Sequence, residues 1–387
     1  MNRRRFGGIV IAAAVLASTP VLAQDTVKVG LILPMTGPFA STGRQIDAAV
    51  KVYMAKHGAT VAGKKIEVIV KDDGGTADTT RRIAQELVVN DKVAFLAGFG
   101  LTPLALATAP VATQAKVPMV VMAAATSSVT EQSPYIVRTG FTLPQVTAPM
   151  AEHAAKSGMK KVVTLVTDYG PGIDAETQFK KTFTAAGGTI PAELRVPIKN
   201  PDFAPFLQRV RDASPDAVFV FVPSGVGSIF MKQFAERGLD KSGIKLIGTG
   251  DVTDDDILND MGDVALGVIN SMHYSAAHDS ALNKEYVAAM RKTANLRANF
   301  HSVGGYDGMH LIYKALEATK GDTNGEALLN AMKGMSWESP RGPMSIDRDT
   351  RDVTQNVYVR RVEKRDGQLW NIEFQTVPNV KDPGKQK

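Results

Sequence analysis

One stretch decides the fold expected for this chain: VKVGLILP, from Val27 to Pro34. Its apolar and β-branched residues form a nearly continuous run that Pro34 ends, which is typical of a strand buried inside a sheet. A helical pattern follows over Ile46–His57, with its apolar residues on one face. A buried strand followed by an amphipathic helix predicts a βα unit of a parallel sheet.

The same alternation recurs about every 25–30 residues, the period of βαβ units. Strands are predicted over Lys65–Lys71, Val93–Ala97, Pro118–Met122, Lys161–Thr167, Asp216–Val222 and Lys245–Gly248, with helices over Thr79–Val89, Leu104–Gln114, Asp174–Ala186 and Ser228–Glu236. The pattern restarts at Lys161 after a connecting segment, Tyr135–Pro144. After Tyr274 we expect two more helices and a β-rich end. The chain is therefore predicted to form two similar, doubly wound α/β lobes.

Composition excludes several classes of protein. The 387 residues are 44% hydrophobic and 22% charged, which is a globular composition and suggests two domains or one large domain. The formal net charge is +6, from 45 Lys and Arg against 39 Asp and Glu, and it falls to near +3 without Arg3, Arg4 and Arg5. We therefore expect no nucleic-acid or membrane-surface partner. Cysteine is absent, which excludes disulfides and cysteine nucleophiles.

Residues 1–23 have the pattern of a secretory signal peptide. Three arginines precede the short apolar run Gly7–Ala17, and Val21-Leu22-Ala23 has the form of a cleavage site. The run is too short to span about 30 Å of hydrocarbon. We expect cleavage near Ala23 and, in a Gram-negative cell, a periplasmic protein. Arg3–Phe6 also fits part of a twin-arginine signal, so the export route, Sec or twin-arginine, stays open.

The carboxyl ends of the predicted strands are rich in Gly, Ser and Thr, which leave backbone N–H groups approachable. Ligands of open parallel sheets bind at these ends, and several of the loops begin a helix, whose N terminus attracts anions. Seven such loops predict a cleft, although each one is also compatible with an ordinary turn.

Enzyme motifs are missing from these loops. The Gly98–Pro103 and Gly248–Thr253 segments lack the third glycine of a dinucleotide-binding loop, and no Walker loop, zinc-protease motif or nucleophile elbow is present. Asp254–Asp256 lacks the spaced ligands of a calcium loop and suits a helix start. We expect no catalytic residue, no metal site and no cofactor.

Several segments resemble the leucine/isoleucine/valine-binding protein family, the periplasmic receptors of branched-chain amino-acid ABC transporters. They are Val27–Ala40, the Asp72-Asp73 turn, Val117–Val120, Ala123–Ser127, Asp168–Gly170 and Arg341–Met344. The resemblance covers nearly all of the chain after residue 23, in order.

The resemblance implies a type I periplasmic binding protein fold, or Venus flytrap: two doubly wound α/β lobes joined by three crossovers. The crossovers fall near Val137–Pro144, Asn270–Ala276 and Pro340–Ser345. One lobe would comprise residues 24–140 plus 276–340 and the other 141–275 plus 341–378, with a flexible tail at 379–387.

The resemblance also implies ligand contacts. Thr102, Ala124 and Thr126 match the family positions that hold the ligand carboxylate, and hydroxyl and N–H groups suit that role. Tyr169, from the other lobe, would close over the ligand; otherwise it is a surface tyrosine in a turn.

One departure from the family concerns the ligand amine. Amino-acid binders place a Glu against the ligand ammonium where this chain has Gly250, with Asp251 beside it. If Asp251 faces the cleft, an amino acid is still compatible with the site. If it does not, a buried ammonium would lack its counter-charge at a cost of several kcal/mol, roughly, and an acid without an amine is expected.

A second departure makes the expected pocket more apolar. Phe221 stands at the position of a pocket tyrosine, and together with Phe39 and Phe99 it would line a site for an aromatic acid, unless these rings belong to the core. Arg44 is either a cation for an acidic ligand or a solvated surface residue.

These features predict the periplasmic solute-binding receptor of an ABC importer. It would bind a small carboxylate, either a branched-chain or hydrophobic amino acid or an aromatic acid, and deliver it as a monomer to the membrane permease. Two alternatives are a ligand-sensing module of the same fold and an exported hydrolase. The ligand, its affinity, the permease and the resting balance of open and closed forms stay open.

Overall fold

The computed structural model describes residues 25–385, and the predicted signal peptide, 1–23, lies outside them. Within this range one sheet is formed by β1 (Thr26–Leu33), β2 (Thr60–Val61), β3 (Lys64–Asp72), β4 (Phe95–Gly98), β5 (Met119–Val121) and β6 (Ile136–Arg138). Its order is β2-β3-β1-β4-β5-β6, and only the β2–β3 pair is antiparallel. This sheet is the centre of lobe 1.

The second sheet is the centre of lobe 2. Its strands are β7 (Val162–Thr167), β8 (Glu193–Val196), β9 (Ala217–Phe221), β10 (Lys245–Thr249), β11 (Ile269–Met272), β12 (Ser336–Ser339), β13 (Gly342–Ile346), β14 (Val353–Arg365) and β15 (Gln368–Val380). The order is β12-β13-β14-β11-β10-β9-β7-β8, with β15 paired to β14. Strands β7 to β11 are parallel, whereas β12 to β15 add antiparallel pairs.

Helices cover the sheets. They are α1 (Ala40–His57), α2 (Ala77–Val89), α3 (Thr102–Ala115), α4 (Leu143–Lys156), α5 (Gly170–Ala185), α6 (Ala204–Ala213), α7 (Gly227–Glu236), α8 (Leu258–Met261), α9 (Ala281–Ala294), α10 (Phe300–Ala318) and α11 (Gly325–Met332). They include those predicted from the sequence and four that were not predicted, α4, α6, α8 and α11. Strands β7 and β9 are buried at every residue, as expected for parallel strands covered on both faces. None of the helices in residues 25–385 combines the length and apolar character that a membrane span needs.

The chain passes between the lobes three times. It leaves the first sheet between β6 and α4, returns between β11 and α9, and crosses again between α11 and β12. The third crossing was expected at Pro340–Ser345 and lies a few residues earlier, because Ser339 pairs with Gly342 in a β12–β13 hairpin and the residues between them form its turn. β12 therefore belongs to the second lobe, although the predicted boundary at residue 341 assigned it to the first lobe.

The predicted flexible tail at 379–387 is wrong over its described part. Val380 pairs with Gln355 in the β14–β15 ribbon. Asp382 is buried and accepts a hydrogen bond from the Ser127 hydroxyl at 3.1 Å, and Lys385 forms an ion pair with Asp352. This end of the chain packs where the two lobes meet, which no local pattern signals.

Candidate ligand-binding site

A small cavity lies between the lobes, at the carboxyl ends of the strands. Its lining residues come from both lobes and from the first crossover: Phe39, Thr42, Gly100, Leu101, Thr102, Ala123, Ala124, Ala125, Phe141, Leu143, Tyr169, Pro171, Phe221, Pro223, Ser224, Asp251 and His301.

The two lobes are in direct contact around this cavity. Asn299 of lobe 1 donates from Nδ2 to both carboxylate oxygens of Asp254 in lobe 2, at 2.9 and 3.0 Å. Gln45 donates to Asp256 at 3.0 Å. The backbone N–H of Ser127 donates to Asp174 at 2.9 Å. The arrangement is that of a closed pair of lobes.

One end of the cavity suits a carboxylate. Thr102 is the first residue of α3, and its Oγ1 lies 2.9 Å from Oγ1 of Thr126. Both side chains are buried, at 3% and 7% exposure. Gly170, the first residue of α5, faces the same pair, so two helix N termini with unpaired N–H groups meet here. Hydroxyl and N–H donors of this kind form short, charge-assisted bonds to an anion.

The predicted carboxylate-binding residues hold different positions in this region. Thr102 and Ala124 line the cavity, whereas Thr126 supports Thr102 through the hydroxyl pair and does not line it. Pro103 lies in the first turn of α3, where a missing N–H is tolerated, so the helix begins at the predicted site.

Aromatic rings form the walls of the cavity. The rings of Tyr169 and Phe221 both come from lobe 2 and are stacked on each other, with centroids 6.1 Å apart and an interplanar angle of 22°. Phe39 and Phe141 line the cavity from the other side. Burial, and then the charge of Asp251, raise the pKa of the Tyr169 phenol, so its hydroxyl stays protonated. Phe99, by contrast, packs in the core of lobe 1 and does not line the cavity.

Asp251 lines the cavity, so the condition set out for an amino-acid ligand is met. Its carboxylate accepts a hydrogen bond from Thr249 Oγ1 at 2.8 Å and is only 4% exposed. Burial raises the pKa of Asp251 to about 7, while the charge of Arg360 acts in the opposite direction. Near neutral pH this group is therefore only partly charged.

Gly250 does not line the cavity, and no side chain fits at this position. A Cβ added at Gly250 would overlap Nη2 of Arg360 and lie 2.8 Å from Cβ of Met272. Arg360 is fully buried, and its Nε donates to Asn270 Oδ1 at 2.8 Å. A guanidinium thus occupies the space where the Glu of amino-acid binders would begin.

Arg44 is not brought into the cavity. It is exposed on α1, whereas Thr42, two residues earlier, lines the cavity. Two residues correspond to about 200° around a helix, so the two side chains lie on nearly opposite faces. The interpretation of Arg44 as a solvated residue fits the structure, and its interpretation as the cation for an acidic ligand does not.

Sequence reasoning missed several lining residues, above all Thr42, Ser224 and His301. His301 lies in the first turn of α10, about 200 residues after Thr102, and only the preceding Asn299 cap gave a local hint. Among residues 25–385 no cluster of His, Asp and Glu side chains is arranged to hold a metal ion.

Comparison with known proteins places the chain among binding proteins. The family described as periplasmic binding protein matches residues 26–368. A solute-binding protein of an ABC transporter from Rhodopseudomonas palustris BisB5, solved in complex with 3,4-dihydroxybenzoic acid, is 65% identical with a TM-score of 0.92, covering 94% of this chain and 100% of that one.

Two further relatives are also described as binding proteins. A solute-binding protein of an ABC transporter from R. palustris, solved in complex with 4-hydroxybenzoate, is 45% identical with a TM-score of 0.91, covering 93% of this chain and 99% of that one. Leu/Ile/Val-binding protein homolog 6 of Brucella melitensis is 47% identical over 365 residues, 93% of this chain and 94% of the relative.

These findings confirm the predicted fold, a type I periplasmic binding protein, and the predicted role as the solute-binding receptor of an ABC importer. The family and its structural relatives are solute-binding proteins, not enzymes. With a family match that spans most of its length and a fold shared along its whole described part, this chain belongs to the periplasmic binding protein family.

Proposed function

We propose that this receptor binds a hydroxylated aromatic carboxylate without an amine, of the class of 3,4-dihydroxybenzoate, and delivers it to a membrane permease. The observation that carries the proposal is the make-up of the cavity wall, which combines the buried Thr102 hydroxyl at a helix N terminus with the stacked rings of Tyr169 and Phe221. Where amino-acid binders have a Glu, Gly250 supplies no counter-charge for an ammonium, and the buried guanidinium of Arg360 fills the space beside it. The ligands of the 65% and 45% identical relatives belong to the same chemical class.

The proposed orientation puts the ligand carboxylate against Thr102. Its hydroxyl and the N termini of α3 and α5 supply donors there. Asp251 supports this orientation from the other lobe, because its partial negative charge repels a carboxylate. The ligand ring would lie between the Tyr169–Phe221 pair and the phenylalanines opposite.

A branched-chain amino acid is the second candidate, favoured by Asp251 in the cavity wall. Two features weigh against it. Burial, which raises the pKa of Asp251, favours its neutral form in the empty site, and the charge of Arg360 already acts on the carboxylate. An ammonium would have to displace both effects before it gained an ion pair.

A thermal-shift screen of residues 24–387 separates the two candidates. The ligands are 3,4-dihydroxybenzoate, 4-hydroxybenzoate, benzoate, leucine and valine, each at a concentration far above the expected Kd. A ligand at 100 times its Kd stabilises the folded protein by about 2.7 kcal/mol, a readily measured shift in Tm. We expect shifts with the hydroxybenzoates. A shift with leucine or valine alone would contradict the proposal and support the second candidate.

Point variants test the proposed contacts. Thr102→Ala, Thr126→Ala and Tyr169→Ala should each weaken binding of the tightest ligand more than twofold in isothermal titration calorimetry. Thr108→Ala is the matched control, since Thr108 is a buried threonine of α3 that bonds to its own helix at Leu104 O. Unchanged affinity in the first three variants would refute the proposed contacts.

We also propose that the receptor is exported as a monomer after cleavage near Ala23. The signal-like pattern of residues 1–23 and the family support this. The intact mass of protein recovered from the periplasm, together with its size by light scattering, tests both points; a mass that retains residues 1–23 would contradict cleavage.

A further inference from the structure

One polar side chain in the cavity wall has a nitrogen without a hydrogen-bond partner. His301 lines the cavity and is 6% exposed, and its Nδ1 is buried and unpaired. Its backbone N–H donates to the Asn299 side chain at 3.1 Å, so the residue is held by the capped start of α10. Its ring packs on Phe300, with centroids 4.1 Å apart. A fixed imidazole with a free nitrogen therefore borders the ligand space.

The ring of His301 is neutral, since burial lowers its pKa to about 3. A neutral imidazole has one N–H donor and one acceptor nitrogen. A hydroxyl both donates and accepts, so it satisfies either tautomer, whereas a carboxylate would need the donor. Buried polar groups in folded proteins are nearly always paired, which makes an unpaired one beside a ligand cavity a candidate ligand contact.

A second buried histidine, His273, lies outside the cavity wall and serves as a comparison. His273 also has an unpaired Nδ1, yet its Nε2 lies 3.3 Å from the carbonyl oxygen of Phe300 and the residue does not line the cavity. Its ring packs against Phe141 as part of the protein interior. Only His301 of these two combines an unpaired nitrogen with a place in the cavity wall.

The topology puts His301 and Thr102 beside different strand ends at the same edge of the first sheet. Thr102 follows β4, whereas the first turns of α10 lie against the ends of β5 and β6: Thr139 Oγ1 donates to Gly304 O at 3.0 Å, and Gly304 packs on Met122. Neighbouring strands are about 4.8 Å apart, so one to two strand spacings, roughly 5–10 Å, separate the strand ends beside which the two residues lie. A hydroxybenzoate extends over this scale from its carboxylate to its ring hydroxyl.

We infer that His301 hydrogen-bonds the ring hydroxyl of the ligand and thereby selects hydroxybenzoates over benzoate. The inference rests on the proposed function, because it assumes an aromatic carboxylate whose acid group lies against Thr102. Binding benzoate leaves the buried imidazole nitrogen unpaired, and sites built to pair a substrate hydroxyl discriminate strongly against the analogue that lacks it.

The test compares the affinities of 4-hydroxybenzoate and benzoate by calorimetry in the wild-type protein, His301→Leu, His301→Asn and the control His310→Leu. His310 is a histidine of the same helix that contacts Tyr53 and does not line the cavity. We expect the wild-type protein to prefer 4-hydroxybenzoate at least tenfold. His301→Leu should reduce the ratio to within twofold while benzoate affinity changes less than threefold.

His301→Asn keeps polar atoms near the position of Nδ1 and should restore part of the preference, and His310→Leu should leave it unchanged. If His301→Leu keeps the ratio, or weakens both ligands by the same factor, the inference is overturned. If the wild-type protein binds both acids equally well, the inference fails while the proposed function stands. If neither acid binds and leucine does, the proposed function itself has failed.

Discussion

Replacing Gly170 by alanine tests whether the closed arrangement of the lobes is the ligand-binding form. Gly170 begins α5 in lobe 2, and a Cβ added to it would lie 2.7 Å from Oγ1 of Thr126 and 3.6 Å from Cγ2 of Thr102, both in lobe 1. Its φ is outside the left-handed region, so alanine fits the backbone. The added methyl group acts as a wedge between the lobes.

The size of the effect follows from this geometry. Real Cβ atoms essentially never approach other atoms within 3.0 Å, so either the buried Thr126 side chain or the closed lobes must shift. Overpacking of this kind costs about 1–3 kcal/mol. At about 1.4 kcal/mol per factor of ten, the Kd should rise by roughly 5- to 150-fold. The ligand-free protein can open and should lose no stability, since alanine exceeds glycine in helix propensity by up to about 1 kcal/mol.

Calorimetry with the tightest ligand and the Tm of the ligand-free protein measure the two effects. Gly227→Ala is the matched control: Gly227 begins α7, and its added Cβ would lie 2.5 Å from Val252 O within the same lobe. This control should lower the Tm of the ligand-free protein. In a Thr126→Ala background the effect of Gly170→Ala should shrink, because the clashing hydroxyl is gone. If Gly170→Ala alone binds the ligand within twofold of wild type, the reasoning is refuted. It is also refuted if the Tm of ligand-free Gly170→Ala falls as far as that of the control.

Two other predictions concern pH and the crossovers. Burial, and then the charge of Asp256, raise the pKa of Asp254 to about 8 in the closed form. When the lobes open, Asp254 loses Asn299 and gains water, so its pKa falls. Closure therefore takes up a proton; it weakens as pH rises towards about 8 and levels off above that pH. Ligand affinity measured by calorimetry should fall from pH 6 to pH 9, and Asp254→Asn should reduce this fall; an unchanged pH profile in that variant would contradict the assignment. Arg341→Met should lower the free energy of unfolding by about 3–5 kcal/mol in urea titrations, because it leaves Asp307 as an unpaired buried charge. The ion pair is 2.6 Å long and Arg341 Nη1 also donates to Gly140 O at 3.0 Å, so a loss below about 1 kcal/mol would show that it does not hold the crossovers.

Local patterns predicted the elements well where burial itself is periodic or continuous. The strand predicted over Val27–Leu33 is β1, Thr26–Leu33, because a parallel strand covered on both faces is largely apolar; of its residues only Thr26 and Lys28 are not buried. The helix predicted from Ile46 begins at Ala40, six residues earlier. Its first turns hold Ser41, Thr42 and Gly43, a segment without apolar residues. In the structure this segment packs against the end of β1 and bonds to lobe 2. Contacts with the rest of the fold therefore extend the helix beyond the apolar pattern that predicted it.

The site was predictable only in part. Thr102, Ala124, Tyr169, Phe221 and Asp251 were identified through a family resemblance, and the structure lines the cavity with them. Arg44 was a candidate because it follows a loop at the site, but the helix turns it into solvent. His301 escaped notice because its chemistry depends on desolvation by residues that are distant in sequence.

The sequence by itself determined the order of strands and helices, the lack of catalytic motifs and the glycine at position 250, because these depend on residue type and short-range spacing. The tertiary structure alone decided which charges and polar groups share the cavity. Arg360 fills the space beside Gly250 although 110 residues separate them, and Asp251 and His301 face one cavity from different lobes. Burial removes water from all three groups, and the electrostatics that follow are set by packing over long sequence distances, which no local pattern encodes.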